Sequence, residues 1–258
     1  MHNGASVRLS WAQVSETGMR ASNQDAIGAA RHGDLACFAI ADGTGGHEGG
    51  EVASRLAVDS LIRAFCDAPA FGAPALLGYV GRAIDQVESS KRGDPELSDM
   101  STTVAAVLVD QRDARAVWAH LGDTRVYLFR AGRVHAVTRD HSLAQQLVDA
   151  GYANAAQLRE HPQRNILLAA VGAQGEMPVA ASEAVALEAG DALLACSDGL
   201  WEWVREDEME NALSQSSRSE DWLAAMRATA DAAVKAAGKA RDNYSAYAIR
   251  VHQPEAAA

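Results

Sequence analysis

Phe38-Ala39-Ile40-Ala41-Asp42-Gly43-Thr44-Gly45-Gly46-His47-Glu48-Gly49-Gly50 is the stretch whose reading decides the fold. An apolar run that begins at Leu35 stops at one carboxylate, five glycines follow within eight residues, and a helical pattern starts behind them. Such a run predicts a buried strand that presents Asp42 at the rim of a sheet. The glycines let backbone come close to a neighbour or a ligand. A strand, a Gly-rich turn and a helix first suggest a phosphate cradle, an idea that the rest of the chain must support or exclude.

Outward from this stretch, short strands and helix pairs alternate. Residues 7–15 read as an opening strand, a polar connector spans 16–25, and Ala26–Arg31 forms a hairpin with Leu35–Asp42 through the His32-Gly33-Asp34 turn. Val52, Leu56, Leu61 and Phe65, then Leu77, Val80, Ile84 and Val87, mark two core-covering helices. A polar loop over Lys91–Met100 leads into a meander of Thr103–Asp110, Ala114–Leu121, Arg125–Arg130 and Arg133–Val137, whose short connections rule out a purely parallel sheet. Ser142 caps a helix ending at Gly151, and Asn154 a second ending before Pro162. Strands over Val179–Leu187 and Asp191–Cys196, helices near 205–214 and 220–237, and a closing strand over Tyr244–Val251 complete the order. No linker, repeat or low-complexity tract interrupts it, so one domain over 1–258 is expected. Its fold class is α+β, an antiparallel core covered by helices on its outer faces.

Composition narrows the function. With 48% hydrophobic residues and a net charge of −11, the chain is an ordinary globular protein without the basic stripe that nucleic acid requires. No run of eighteen apolar residues spans a membrane, and Met1-His2-Asn3-Gly4 does not open a signal peptide, so a cytoplasmic compartment is expected. Cys37, Cys66 and Cys196 have no CxxC spacing, and Cys37 and Cys196 read as small buried hydrophobes.

Acids recur where apolar runs end: Asp42, Asp123 and Asp198, each beside a glycine (Gly43, Gly122, Gly199). Asp25 and Asp242 stand just before strands. Antiparallel neighbours bring strand ends beside strand starts, so all five carboxylates can share one rim. Each alone reads as a turn or cap residue. Together they repel unless cations neutralise them, and an all-oxygen set favours magnesium or manganese over zinc. A metal cluster at a rim suits hydrolysis, and Arg20 near Asp25 offers a bidentate guanidinium for phosphoryl oxygens.

Other phosphate chemistries fail on single residues. Gly49-Gly50-Glu51 lacks the lysine of a Walker loop, and Glu48 stands where GxGxxG needs its third glycine. Six residues after the three cysteines stand Gly43, Gly72 and Glu202 instead of the arginine of a cysteine phosphatase. Ile40 occupies the position of the second aspartate that a haloacid dehalogenase-type site requires.

From about Val14 to Val251 the chain resembles the metal-dependent serine/threonine protein phosphatases, the type 2C or PPM family, in their small bacterial form. The motifs stand in family order: Gly18-Met19-Arg20 with Asn23-Gln24-Asp25; Ala41-Asp42-Gly43-Thr44-Gly45-Gly46-His47; Ser101-Thr102-Thr103; Leu121-Gly122-Asp123-Thr124-Arg125; Thr138-Arg139-Asp140-His141-Ser142; Ser197-Asp198-Gly199-Leu200-Trp201; Asp242-Asn243. The resemblance implies a four-layer αββα sandwich of two packed antiparallel sheets flanked by helices. It implies two Mn2+ or Mg2+ ions bridged by Asp42, with the Gly43 carbonyl on one and Asp198 and Asp242 on the other. Asp25 binds directly or through water, Asp123 with Asp198 matches a third-metal position, and Arg20 matches the phosphate-binding arginine. A flap inserted at about 143–178 is implied too. Gln24 departs from the glutamate of many members, and Thr44 from a histidine proposed as general acid in eukaryotic relatives. The acid's identity stays open, with His47 one candidate and a metal-bound water the other.

The implied reaction is hydrolysis of phosphoserine and phosphothreonine in proteins by metal-activated water, with Asp42 and Arg20 central. The expected partners are phosphoproteins, targets of a eukaryotic-like kinase, and the expected state is a monomer. Two rivals remain: a pseudophosphatase serving as a binding module, and a same-fold metallohydrolase acting on a small phosphate ester.

Overall fold

The computed structural model describes residues 6–44, 49–173 and 178–254. In chain order, β1 (Arg8–Glu16), β2 (Asp25–His32) and β3 (Leu35–Thr44) precede two long helices, α1 (Gly49–Asp67) and α2 (Ala73–Gly93). The meander follows as β4 (Ser101–Thr102), β5 (Val104–Asp110), β6 (Arg115–Leu121), β7 (Arg125–Arg130) and β8 (Arg133–Val137). Next come α3 (Leu143–Asp149), a 3-10 segment (Ala155–Glu160), β9 (Ala180–Ala181), β10 (Val185–Ala186) and β11 (Ala192–Cys196). The chain closes with α4 (Asp198–Trp201), α5 (Glu206–Gln215), α6 (Ser219–Ala237) and β12 (Tyr244–His252).

Two antiparallel sheets stack face to face. One runs β1-β12-β11-β7-β8, the other β10-β6-β5-β3-β2, with β4 beside β3 and β9 beside β6. Alternate residues of β3 serve two cores. Ala36, Phe38 and Ile40 face the other sheet, where Phe38 meets Trp11 and Tyr247 edge to face at 5.3 Å each. Cys37, Ala39 and Ala41 pack under α1 and α2 with Leu61, Phe65 and Leu76. A strand buried on both faces reads as a continuous apolar run, which is why Leu35–Ala41 shows no alternation. The opposite sheet is covered in the same way, with Tyr127, Phe129 and Leu194 beneath Trp222 and Met226 of α6. Helices, two sheets and helices make four layers.

Several sequence expectations need correction. The run 179–187 is not one strand: β9 and β10 each pair briefly with β6, because Ser182 breaks the ladder by accepting the Trp118 N–H on its hydroxyl at 3.0 Å. The turn at 188–190 joins strands of different sheets, since β10 lies on β6 and β11 lies between β12 and β7. α2 continues to Gly93, and Asp94 then caps a 3-10 turn over Pro95–Leu97 in the expected loop. The element capped near Asn154 is 3-10 rather than α. Asp25 is the first residue of β2 rather than a residue ahead of it. Ser142 caps α3 as read, accepting the Gln145 N–H at 3.2 Å.

Candidate active site

The two sheets end together at one rim, and the acids gather there. Asp25 and Asp42 lie directly opposite each other across β2 and β3. Asp123 occupies the turn between β6 and β7, behind Gly122 at φ 107°. Asp198 opens α4 just past the end of β11, and Asp242 precedes β12, the strand paired with β11. A cleft of about 170 Å³ results, lined by Asp42, Asp123, Asp198, Asp242, the Gly43 backbone and Arg20. Gln24, Thr44, Asn165, Leu167 and Asn243 complete its walls. Asp25 does not line the cleft. It lies beside Asp42, 8% exposed, with Oδ2 accepting from Ser197 at 2.7 Å and Oδ1 without any partner.

The Asp-Gly pairs have a packing cause. A Cβ on Gly43 would stand 2.1 Å from the Gly50 carbonyl oxygen, and one on Gly199 would stand 2.0 Å from that of Asn243. Backbone touches backbone at both places, so only glycine lets the neighbouring aspartates reach the rim. Gly199→Ala must push α4 off the Asn243 strand end. We expect a loss of about 1–3 kcal/mol or more in urea unfolding, together with impaired activity.

The loop carrying Arg20 is held from beneath by Asn243. Its side-chain amide donates to the Thr17 and Ser22 carbonyls at 2.7 and 2.9 Å, and its Oδ1 accepts the Gln24 N–H at 2.9 Å. Gly18 adopts φ 62°, Met19 N–H donates to the Arg241 carbonyl, and Arg20 bonds Asp242 at 2.6 Å. Thr102 donates its hydroxyl to the Asp42 carbonyl and Thr103 accepts the Asp42 N–H, both at 2.9 Å, so the backbone of Asp42 is held on both sides.

Electrostatics make the cluster a set of buried, mutually repelling carboxylates. Burial, then the charges of Asp25 and Asp198, hold the Asp42 carboxyl well above the usual carboxylate range. Burial and Asp198 do the same to Asp123. Burial, with Asp242 and Asp25 nearby, pushes Asp198 up to about 7, and burial pushes Asp25 up to about 6 against the hydroxyl of Ser197. Arg20 is the one cation lining the cleft among the described residues. Among those residues no three acid, histidine or cysteine side chains are already drawn into a closed cage; Asp242 is turned to Arg20 and Asp25 to Ser197. An orphaned buried carboxylate oxygen beside an all-oxygen, mutually repelling set fits a hard divalent cation.

Sequence reasoning assigned no role to Asn243, Ser197, Thr102 or Thr103, although each lies inside or beside a quoted motif. Their work is to hold backbone, which no spacing reveals. His141 stands at the corner between β8 and α3, exchanging hydrogen bonds with Gly122 and accepting the Leu168 N–H on its carbonyl. Burial, with His120 stacked beside it, pulls its imidazole down to about 4, so it stays neutral and its Nδ1 accepts the Gly122 N–H. His47 lies outside the described residues. Of segment 143–178, the part up to 173 folds over the same rim. Arg159 and Arg164 pair with Glu206 and Glu202, and Asn165 and Leu167 reach the cleft.

Known proteins give this arrangement its family. A profile described as "Protein phosphatase 2C" matches residues 15–240. The serine/threonine protein phosphatase PstP of Mycobacterium tuberculosis is 35% identical over 208 residues, which are 80% of this chain and 39% of that protein. The chain thus spans well under half the length of this relative. The serine/threonine phosphatase stp of Listeria monocytogenes is 35% identical over 179 residues, 67% of this chain and 70% of that protein. The solved catalytic domain of PstP in complex with two manganese ions superposes with a TM-score of 0.78 at 29% identity, covering 95% of this chain and 99% of that one. The chain belongs to the protein phosphatase 2C family.

Proposed function

We propose that this protein hydrolyses phosphoserine and phosphothreonine in proteins, using a water activated by divalent cations. The observation that carries the reading is the acidic cleft: four carboxylates line it, burial and mutual repulsion raise the proton affinity of Asp42, Asp123 and Asp198 among them, Asp25 is buried against them, and Arg20 is the cation at its lip. Family membership supports it, and so does the manganese named with the PstP catalytic domain. Asp42, the Gly43 carbonyl, Asp25, Asp198 and Asp242 would hold two ions, manganese or magnesium, and Asp123 with Asp198 a third. Such ions supply Lewis acidity and lower the pKa of water towards about 7.

The chain's own groups do the rest. Arg20, with 62% of its side chain exposed, is free to turn from Asp242 to a phosphoryl group and hold it bidentately. Exposed pairs of this kind contribute little, so exchanging one acceptor for another costs little. Asn243 keeps the Arg20 loop in register with Asp242, and Thr102 and Thr103 keep the Asp42 backbone at the rim. The substrates are phosphoproteins opposed by a eukaryotic-like kinase. Among the described residues no helix is long and apolar enough to cross a membrane, which agrees with such a role.

The test is hydrolysis of p-nitrophenyl phosphate and a phosphothreonine peptide with manganese, with magnesium and with chelator. Turnover that depends on added cation is expected; turnover surviving full chelation sinks the reading. Arg20→Ala should lower kcat/KM about 10–100-fold for the peptide while calorimetric manganese binding persists. Lost manganese binding in that variant would instead make Arg20 part of the metal site's support.

A further inference from the structure

Arg241 and Asp242 are consecutive residues that line different clefts. Asp242 lines the acidic one. Arg241 lines a neighbour of about 470 Å³ that also has Gly18, Met19 and Tyr244 in its walls. The loop at 17–20 is the ridge between them. Met19 N–H donates to the Arg241 carbonyl at 2.9 Å, Arg20 reaches over to Asp242, and the Met19 side chain is 69% exposed on top.

On a chain of net charge −11, this second cleft is basic. Arg227, Lys235, Lys239 and Arg241 line it against two acids, Glu16 and Asp231. Arg227 and Lys235 lie eight residues apart on α6, on the face that also carries Asp231. Arg227 pairs with Glu16 at 2.7 Å and Arg241 with Asp231. Those pairs exhaust the acids. Lys235 has no carboxylate partner among the described residues, and the Lys239 ammonium lies 5.5 Å from the centre of the Trp203 ring. Arg241, 4% exposed, is stacked 3.5 Å from the Tyr244 ring centre, and its Nε and Nη2 have no acceptor. Four cations against two acids leave the cleft with a net positive charge, and Lys235, without a carboxylate, is the group an incoming anion would meet.

The acidic cleft and the negative net charge repel an acidic polypeptide in general. A local basic cleft one loop away reverses that repulsion at one place, and such complementarity sets partner choice more than affinity. Resting on the phosphatase reading above, we propose that this cleft receives an acidic side chain of the substrate, a few residues from the phosphorylated serine or threonine. The enzyme then selects phosphosites with Asp or Glu on one flank, the chain crossing the Met19 ridge between the two clefts.

The experiment compares phosphothreonine peptides carrying Glu or Gln at positions two to four residues before or after the phosphothreonine, with manganese present. Wild type should have a KM about 3–10-fold lower for Glu on one flank, with kcat little changed, and the preference should fade as salt rises to about 0.5 M. Lys235→Ala with Lys239→Ala should abolish the preference, and Lys235→Glu should transfer it to a Lys-flanked peptide, a reversal that a merely structural lysine cannot produce. p-Nitrophenyl phosphate has no flanks and should be turned over equally by all of them. Wild type active on p-nitrophenyl phosphate but indifferent to the flanking residue overturns the docking proposal alone. A preference that survives both lysine variants overturns it as well. Wild type inert towards every ester overturns the phosphatase reading, and the docking proposal with it.

Discussion

Asp42→Asn is expected to abolish hydrolysis, by more than about 100-fold, while raising the melting temperature of the chelated protein. Losing a mere outer-shell partner of a metal site costs about 10–100-fold, so loss of Asp42, proposed above to bind the ions directly, should exceed that. The opposite effect on stability follows from the neighbours. Asp42 is half-buried opposite Asp25, with Asp198, Asp123 and Asp242 around it, and each charge makes the next one harder to form. Asparagine removes one charge and keeps the shape. The gain reads as about 2–4 °C per kcal/mol in a chain of this size.

The same repulsion sets a pH dependence. A carboxyl whose folded pKa is raised binds its proton more tightly in the folded chain. The stability it confers is therefore complete below the unfolded value of 3.8 and lost as pH rises through about 6 for Asp25 and about 7 for Asp198. The melting temperature of chelated protein should fall between about pH 5 and pH 8, and manganese should flatten or reverse the slope. A chelated protein that melts higher at pH 8 than at pH 5, or an Asp42→Asn variant that melts lower than wild type, would contradict the cluster's electrostatics.

Asp140→Ala should be strongly destabilising although it lies outside the acidic cleft. Arg125, 6% exposed, meets Asp140 with two bonds, Nε to Oδ1 at 2.8 Å and Nη2 to Oδ2 at 2.7 Å. Its guanidinium lies 3.5 Å from the centre of the Trp201 ring, and Trp201 Nε1 donates to the Asp123 carbonyl at 2.9 Å. Removing Asp140 leaves a buried guanidinium without its main partner, which costs about 3–5 kcal/mol. It also loosens the ring that holds Asp123. Urea unfolding should register the loss, and manganese-dependent activity should fall with it. Arg125→Met combined with Asp140→Leu should be less destabilised than Asp140→Ala alone, because no charge is then left unpaired. Equal stability of wild type and Asp140→Ala would mean that the pair is structurally idle.

By itself, the sequence determined most of the element order, the placing of Asp42, Asp123 and Asp198 at or near strand ends, and the all-oxygen residue set on which the proposed chemistry rests. These are local signals: an apolar run ending in an acid and a glycine is readable because both belong to one stretch of chain. It also carried the seven motifs by which the resemblance was drawn. Only the tertiary structure decided that Asp25 lies beneath the cleft rather than in its wall, with Ser197, 172 residues away in sequence, as its partner. It likewise decided that Asn243 carries the Arg20 loop, that 179–187 is split between two short pairings, and that Arg241 faces away from Asp242 into a basic cleft. Long-range pairing across two stacked sheets has no periodicity in the chain, because the partners are chosen by where the strands stop in space.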